Sequence, residues 1–136
     1  MGINIEFLVV AYFIGLFVDW VFQWQWQAEN KSKWGASENK SKSLLALISH
    51  SFVYAFLTAG SLLMLTAISL SSFTLVFIVL LISHAVIDTR IPVKWILKFK
   101  GLSDEQIVDY QNFGFLHVGI DHRLHELTLL ILAFFV

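Results

Sequence analysis

The chain has 136 residues, of which 57% are hydrophobic and only 14% charged, and its mean hydropathy is +0.74. A soluble domain carries about 25% charged residues, so this composition indicates an integral membrane protein with a single domain over residues 1–136. The net charge of −1 gives no basic surface for nucleic acid, and the absence of cysteine excludes disulfides and thiolate metal ligands.

Four apolar segments predict helices that cross the membrane. About twenty apolar residues span the hydrocarbon core of a bilayer, and each segment is close to that length. The polar stretch between the first two segments, residues 25–43, is interpreted as a solvated linker. The expected fold is therefore an all-α bundle of four transmembrane helices. The predicted spans cover about residues 5–24, 44–68, 73–91 and 115–136.

The connections after the second span are short or amphipathic. A tight, uncharged turn is predicted at residues 69–72, and Pro92 discourages continuation of the third helix. Residues 93–100 alternate apolar side chains with lysines, which is typical of a short helix lying on a membrane surface. A capping-box sequence that starts at Ser103 predicts another short helix over 104–112.

The distribution of basic residues predicts the orientation of the bundle. The 25–43 loop holds four lysines and the 89–116 segment holds four lysines or arginines, whereas the N-terminal tail and the 69–72 turn hold none. Basic residues in short loops favour the cytoplasmic side. We therefore expect a multi-pass protein of the bacterial inner membrane with both long loops in the cytoplasm and both termini on the far side.

Polar side chains occur at the predicted cytoplasmic end of every span. Ionisable groups are costly in hydrocarbon, so their collection at one end of the bundle predicts a functional site there. The orientation and the residue positions are independent features of the sequence, so their agreement strengthens this prediction. These residues are Asp19 and Gln23 in the first span, His50 in the second, His84 and Asp88 in the third, and His117, Asp121, His122 and His125 in the fourth.

Histidine and aspartate are the ligands that divalent transition metals such as Zn²⁺, Mn²⁺, Fe²⁺ and Ni²⁺ accept. A pair at i, i+4 can bind one ion from adjacent helical turns, and two such pairs are present here. Six side chains exceed a four-ligand site, so either two ions bind or some residues orient the others. The predicted ligands are Asp19, His50, His84, Asp88, Asp121 and His125, with Asp19, His50 and Asp121 as catalytic candidates and Gln23, His117 and His122 as supporting residues.

The order of these motifs carries a resemblance to a known family. The matching residues are Asp19, Gln23, Trp26, Asn30-Lys31, His50, His84 with Asp88, and Asp121 with His125. In this order they resemble small bacterial and phage membrane proteins catalogued as domain of unknown function 3307. Two features depart from that pattern, since His122 stands where the family usually has Gln and the segment after Asp88 differs. The resemblance implies the site but no reaction, because the family has no established activity.

Three functions are compatible with such a site. The first is hydrolysis of a lipid or lipid-linked headgroup at the cytoplasmic leaflet, assisted by a metal ion. The second is a transporter or channel subunit that handles protons or metal ions, and the third is a non-enzymatic interaction protein of the membrane. Histidines in a membrane helix can also serve only to hydrogen-bond a neighbouring helix. Four short spans bury little surface, so a homo-oligomer is also expected.

Two pairs of charged residues outside the predicted site have simpler expected roles. Lys31 and Lys33 are expected to anchor the first loop at the membrane surface, with binding of a lipid phosphate as the alternative. Arg123 points away from the stripe that carries Asp121, so we expect it to pair with Glu126 or with a lipid phosphate.

Overall fold

A computed structural model describes residues 2–33, 39–107 and 115–136, and all regular structure in these ranges is helical. Residues 104–107 form the start of the short helix predicted over 104–112, and the remainder of that prediction lies outside the described residues. The principal helices are α1 (Ile5–Val21), α2 (Gln25–Asn30) with a 3₁₀ turn (Lys31–Lys33), α3 (Lys40–Leu65), α4 (Leu70–Asp88), α5 (Ile91–Phe99) and α6 (Phe115–Leu132).

The four long helices of the described chain pack in a ring. Helix α3 contacts α1 and α4, and α6 closes the ring because it contacts both α4 and α1. Their inner faces form an apolar core that includes Phe7, Leu62, Val76 and Leu132. The backbone N–H of Asn4 donates to the carbonyl of Ala133 over 2.8 Å, which ties the start of α1 to the end of α6. These two helices are therefore antiparallel neighbours.

Two helices, α3 and α4, are each long and apolar enough to cross a membrane. Helix α1 makes a third such element when it is joined to α2 and the 3₁₀ turn, although the pair is bent by 89° at the break. Helix α6 differs because Asp121, Arg123 and Glu126 interrupt its apolar sequence. Large apolar side chains such as Phe13 and Ile82 are exposed on the outside of the bundle, as contact with lipid requires.

The polar stretch after α1 folds back onto the bundle. Helix α2 and the 3₁₀ turn pack against α3, and the side chain of Gln27 is buried there. Gln27 donates from its amide to Ser49 Oγ over 3.0 Å, and its carbonyl oxygen accepts the backbone N–H of Trp24 over 3.0 Å. The solvated-linker prediction was therefore wrong for residues 25–33. Residues 34–38 lie outside the described part of the chain.

The turn between α3 and α4 lies at residues 66–69 rather than at the predicted 69–72. The reason is that Ser69 caps α4: its Oγ accepts the backbone N–H of Ser72 over 3.0 Å, so the helix starts immediately after Ser69. The serines that suggested a turn therefore belong to the first turn of a helix.

The end of α4 is followed at once by a two-residue turn at 89–90. Arg90 adopts a left-handed backbone conformation with a φ of 61°, and Pro92 falls in the first turn of α5. The short amphipathic helix predicted over 93–100 is confirmed as α5. Its Val93 and Leu97 side chains are buried in a small apolar cluster. Because α4 ends at this turn, Asp88 is its last residue and lies at the end of the bundle.

Candidate metal centre

Side chains from α1, α3 and α4 converge at one end of the bundle. The Nε2 atoms of His50 and His84 lie 3.0 Å apart. Asp19 Oδ1 lies 3.0 Å from His50 Nε2 and 3.7 Å from His84 Nε2. On the other side, Asp88 Oδ2 lies 3.3 Å from His84 Nε2 and 3.5 Å from His50 Nε2. Each imidazole therefore directs its Nε2 atom towards both carboxylates and towards the Nε2 atom of the other imidazole.

His50 has more close polar neighbours than its ring nitrogen can hydrogen-bond. His50 Nε2 has four polar neighbours within 3.5 Å, the fourth being Gln23 Nε2 at 3.2 Å. A ring nitrogen carries either one proton or one lone pair, so it can make one good hydrogen bond. Ligand atoms on a tetrahedral ion with bonds of about 2.0–2.2 Å lie about 3.3–3.6 Å apart. The five separations given above, between the two histidines and from each histidine to each aspartate, are 3.0–3.7 Å and bracket that range.

The centre is buried, so its charges must be balanced within the protein. His50, His84 and Asp88 are each at most 3% exposed. Buried carboxylates need a positive charge beside them, which a bound cation would supply. The donor set of two imidazoles and two carboxylates fits a divalent metal ion.

A second group of donors adjoins the first. His84, Asp88 and His125 also have ligand atoms within 4.8 Å of one another. The ring of His125 lies 4.3 Å from that of His84, and its buried Nε2 has no hydrogen-bond partner within the described ranges. His84 is therefore shared between two neighbouring sets of ligands, one with Asp19 and His50 and the other with Asp88 and His125. The sequence left open whether two ions bind, and this geometry accommodates either one ion or two.

Tyr54 positions the shared histidine. Its ring stacks on the imidazole of His84 with 3.8 Å between centroids and 19° between planes. Helix α1 approaches this pair closely at Gly15, where a β-carbon would stand 2.9 Å from the Tyr54 hydroxyl oxygen. A side chain at this position would push α1 or Tyr54 aside. Gly15 therefore permits α1 to bring Asp19, one turn further along, towards the histidines.

Lys31 belongs to the centre, which the sequence did not predict. Its Nζ lies 2.9 Å from Asp88 Oδ2, and the two side chains are only 13% and 2% exposed. The expected role of Lys31 as a surface anchor was therefore wrong, because the 3₁₀ turn carries it over the end of α4. Lys33, two residues later, is exposed as expected. The Asn30-Lys31 motif of the family resemblance was the one signal in the sequence that could have indicated this role. Composition alone places a lysine in solvent.

The remaining predicted residues lie around the centre at different distances. Gln23 contacts His50, whereas Asp121 approaches His125 only to 3.9 Å. His122 packs its ring against Trp20. His117 is buried but belongs to neither group of candidate ligands in the described part of the chain.

A polar cleft of about 220 Å³ leads from the surface to the centre. Three carboxylates, those of Asp19, Asp88 and Asp121, line it together with the cations of Lys31 and Arg90. His122 and Gln23 complete its polar wall. The cleft therefore gives a small charged molecule access to the candidate ligands on α1 and α4.

The fold-back of α2 can be tested through its buried glutamine. Gln27→Ala removes the hydrogen bond to Ser49 and leaves the Trp24 N–H without its acceptor. We expect a loss of about 1–3 kcal/mol in the free energy of unfolding, measured by SDS-induced unfolding in mixed micelles. The exposed Gln25, which bonds only to Glu29 within the described residues, provides the control Gln25→Ala. Equal effects of the two substitutions would show that α2 is not anchored through Gln27.

Comparison with known families agrees with the resemblance seen in the sequence. The family model described as "Protein of unknown function (DUF3307)" matches residues 5–136, nearly the whole chain. Neither curated proteins nor solved structures gave a match. The match covers every helix that contributes a donor to the candidate metal centre.

Proposed function

We propose that this chain, which belongs to the DUF3307 family, binds a divalent metal ion and hydrolyses a lipid-linked phosphate at the cytoplasmic leaflet. The observation that carries the proposal is the convergence of Asp19, His50, His84 and Asp88 at separations of 3.0–3.7 Å. Zn²⁺, Mn²⁺, Fe²⁺ or Ni²⁺ suits these ligands. Such an ion would act as a Lewis acid and make water nucleophilic near neutral pH.

Two cations of the cleft, together with a bound divalent ion, would offset its three carboxylates and could hold a phosphate as the substrate group. Lys31 and Arg90 both line the cleft, and cationic side chains bind phosphate oxygens through charge-assisted hydrogen bonds. A volume of about 220 Å³ admits a headgroup but not a whole lipid. The surroundings support a position near the membrane surface, because α2 turns by 89° from α1 and α5 is amphipathic.

The carboxylates at the edge of the centre can carry the proton transfers. Asp19 lines the cleft and also faces both histidines, and Asp121 lines the cleft as well. In the proposed reaction the oxygen of water bonds to phosphorus, and the bond from phosphorus to the lipid alcohol oxygen breaks. A carboxylate takes a proton from the water and returns it to the departing alcohol, so charge and atoms balance.

We also propose that all four long helices cross the membrane, with the metal centre at the cytoplasmic end. Helix α6 carries three charges: Asp121 lines the cleft, and Arg123 and Glu126 pair with each other, which lowers the cost of placing them near lipid. Because the chain has no cysteine, single cysteines report sidedness cleanly. We expect Lys100→Cys to react with an impermeant maleimide only from the cytoplasmic side, and Ser71→Cys only from the opposite side. Labelling of both positions from one side would contradict the proposed topology.

The hydrolysis itself is tested with the protein in phosphatidylcholine nanodiscs that contain dioleoyl phosphatidic acid. We expect release of inorganic phosphate that depends on added Zn²⁺ or Mn²⁺. Asp19→Asn should lower the rate by about 100-fold or more, because it removes both a ligand and a proton acceptor. Glu6→Gln, at the opposite end of α1, is the matched control and should retain the rate. An unchanged rate in Asp19→Asn would contradict the proposal, and metal binding without phosphate release would favour ion handling instead.

A further inference from the structure

A second, larger groove lies between α1 and α6. Its volume is about 480 Å³, within the roughly 300–1,000 Å³ range of small-molecule sites. Leu8, Val9 and Phe13 line it from α1, and Leu127 and Leu130 line it from α6. These side chains offer dispersion contacts and no hydrogen bonds, so the body of the groove suits a hydrocarbon chain.

One end of this groove is charged. Arg123 and Glu126 line it, and they form the ion pair that the sequence predicted. The Arg123 side chain is 78% exposed, which is costly within a membrane unless an anion or a partner covers it. Arg123 lies two residues from both Asp121 and His125, so it is within about 3 Å of either along the helix axis. The charged end of the groove is thus level with the metal centre.

A small cavity of about 20 Å³ shares lining residues with both the groove and the polar cleft, and we call it the constriction. Tyr12, Glu126 and Leu129 line both the groove and the constriction. Asp19 and His122 line both the constriction and the polar cleft. The groove and the cleft are therefore neighbouring spaces, separated by the residues that line the constriction.

We propose that this groove binds one hydrocarbon chain of a membrane lipid that carries a phosphate group, and that Arg123 guides the phosphate towards the metal centre. The assignment rests on the proposed function and specifies its substrate as an amphiphile with an anionic head. A guanidinium has five N–H donors, and the bond to Glu126 engages Nη1, so the planar group retains donors that suit phosphate oxygens. The apolar groove would hold the hydrocarbon chain of such a lipid, and Arg123, at the end of the groove nearer the polar cleft, would hold its phosphate.

The binding is tested by photolabelling, with the metal removed by a chelator so that no hydrolysis is needed. The probe is phosphatidic acid with a diazirine near the end of one acyl chain, placed in phosphatidylcholine nanodiscs. We expect cross-links concentrated on residues 8–13 and 127–130, and severalfold lower labelling of these segments in Leu130→Trp and in Val9→Trp. Ile82→Trp, on an exposed face of α4, is the matched control and should leave the labelling unchanged.

The headgroup contact is tested in the same assay with Arg123→Gln, which should also lower the labelling. Excess unlabelled phosphatidic acid should compete with the probe, whereas excess phosphatidylcholine should not. Labelling spread evenly over α4, labelling insensitive to both groove-filling tryptophans, or a groove cross-linked to a second copy of the chain would overturn the proposal. If the groove is labelled but the hydrolysis assay shows no phosphate release, the lipid site is supported and only the proposed hydrolysis is contradicted.

Discussion

Replacing His84 with glutamine is expected to lower the affinity for divalent metal by at least about 100-fold. His84 belongs to both groups of candidate ligands, so its loss removes a donor from either arrangement. Substituting a residue that merely orients a metal ligand already costs about 10–100-fold, and a direct ligand should cost no less than the upper value. The affinity is measured by competition with a fluorescent chelator on the purified protein in mild detergent.

The matched control for this experiment is His117→Gln. His117 is also a buried histidine of the bundle, but it belongs to neither group of ligands in the described ranges. It should change the affinity little, and Asp88→Asn should repeat the loss seen for His84→Gln. Size-exclusion profiles and helical circular dichroism establish that each variant is folded. Equal affinities of His84→Gln and the unaltered protein would contradict the assignment.

Replacing Lys31 with methionine should destabilise the metal-free protein by about 3–5 kcal/mol. The substitution leaves the buried carboxylate of Asp88 without the ammonium group that lies 2.9 Å from it. The free energy of unfolding is measured in mixed micelles with SDS. Lys33→Met, two residues away on the exposed side of the 3₁₀ turn, is the control and should have almost no effect. A similar loss in both variants would indicate a general effect of the loop rather than a buried ion pair.

The same variant distinguishes a metal site from a purely structural ion pair. A divalent ion bound near Asp88 would supply the positive charge that Lys31→Met removes. Zn²⁺ or Mn²⁺ should therefore raise the stability of Lys31→Met by more than that of the unaltered protein. If neither ion stabilises the variant, Lys31 is itself the resident cation and the convergence of histidines and aspartates is structural.

The sequence predicted the main components of the site because local spacing determines them. His84 and Asp88 are four residues apart, so a helix places them on one face whatever surrounds it, and their contact at 3.3 Å follows. The pairing of Arg123 with Glu126, at three residues' distance, was predicted on the same grounds and is confirmed. Prediction of the all-helical fold also required only apolar segments and their breaks.

The contributions of Lys31 and Gln27 could not be predicted in this way. Both lie in a polar segment whose composition is that of a solvated loop, and burial of either requires a partner distant in the chain. Lys31 meets Asp88, and Gln27 meets Ser49, only because α2 folds back at 89° to α1. No periodicity or spacing encodes that bend. Lysine is almost never buried without a partner, so burial of Lys31 can be predicted only when its partner in the folded chain is known.

The turn predicted at 69–72 failed for a related reason. Serine favours both turns and helix N-caps, and the segment contains three serines within four residues. The sequence does not distinguish these roles, whereas the structure assigns the N-cap to Ser69 alone. The result shifts α4 by three residues, from a predicted span of 73–91 to Leu70–Asp88, and leaves the relative positions of His84 and Asp88 unchanged.

The most direct test of the metal centre is elemental analysis of the protein, purified without a histidine tag in mild detergent. The convergence of Asp19, His50, His84 and Asp88 predicts about one or two equivalents of Zn, Mn, Fe or Ni per chain, either as purified or after reconstitution. The absence of bound metal in both preparations would contradict the account and would leave these side chains as a buried network of hydrogen bonds and ion pairs.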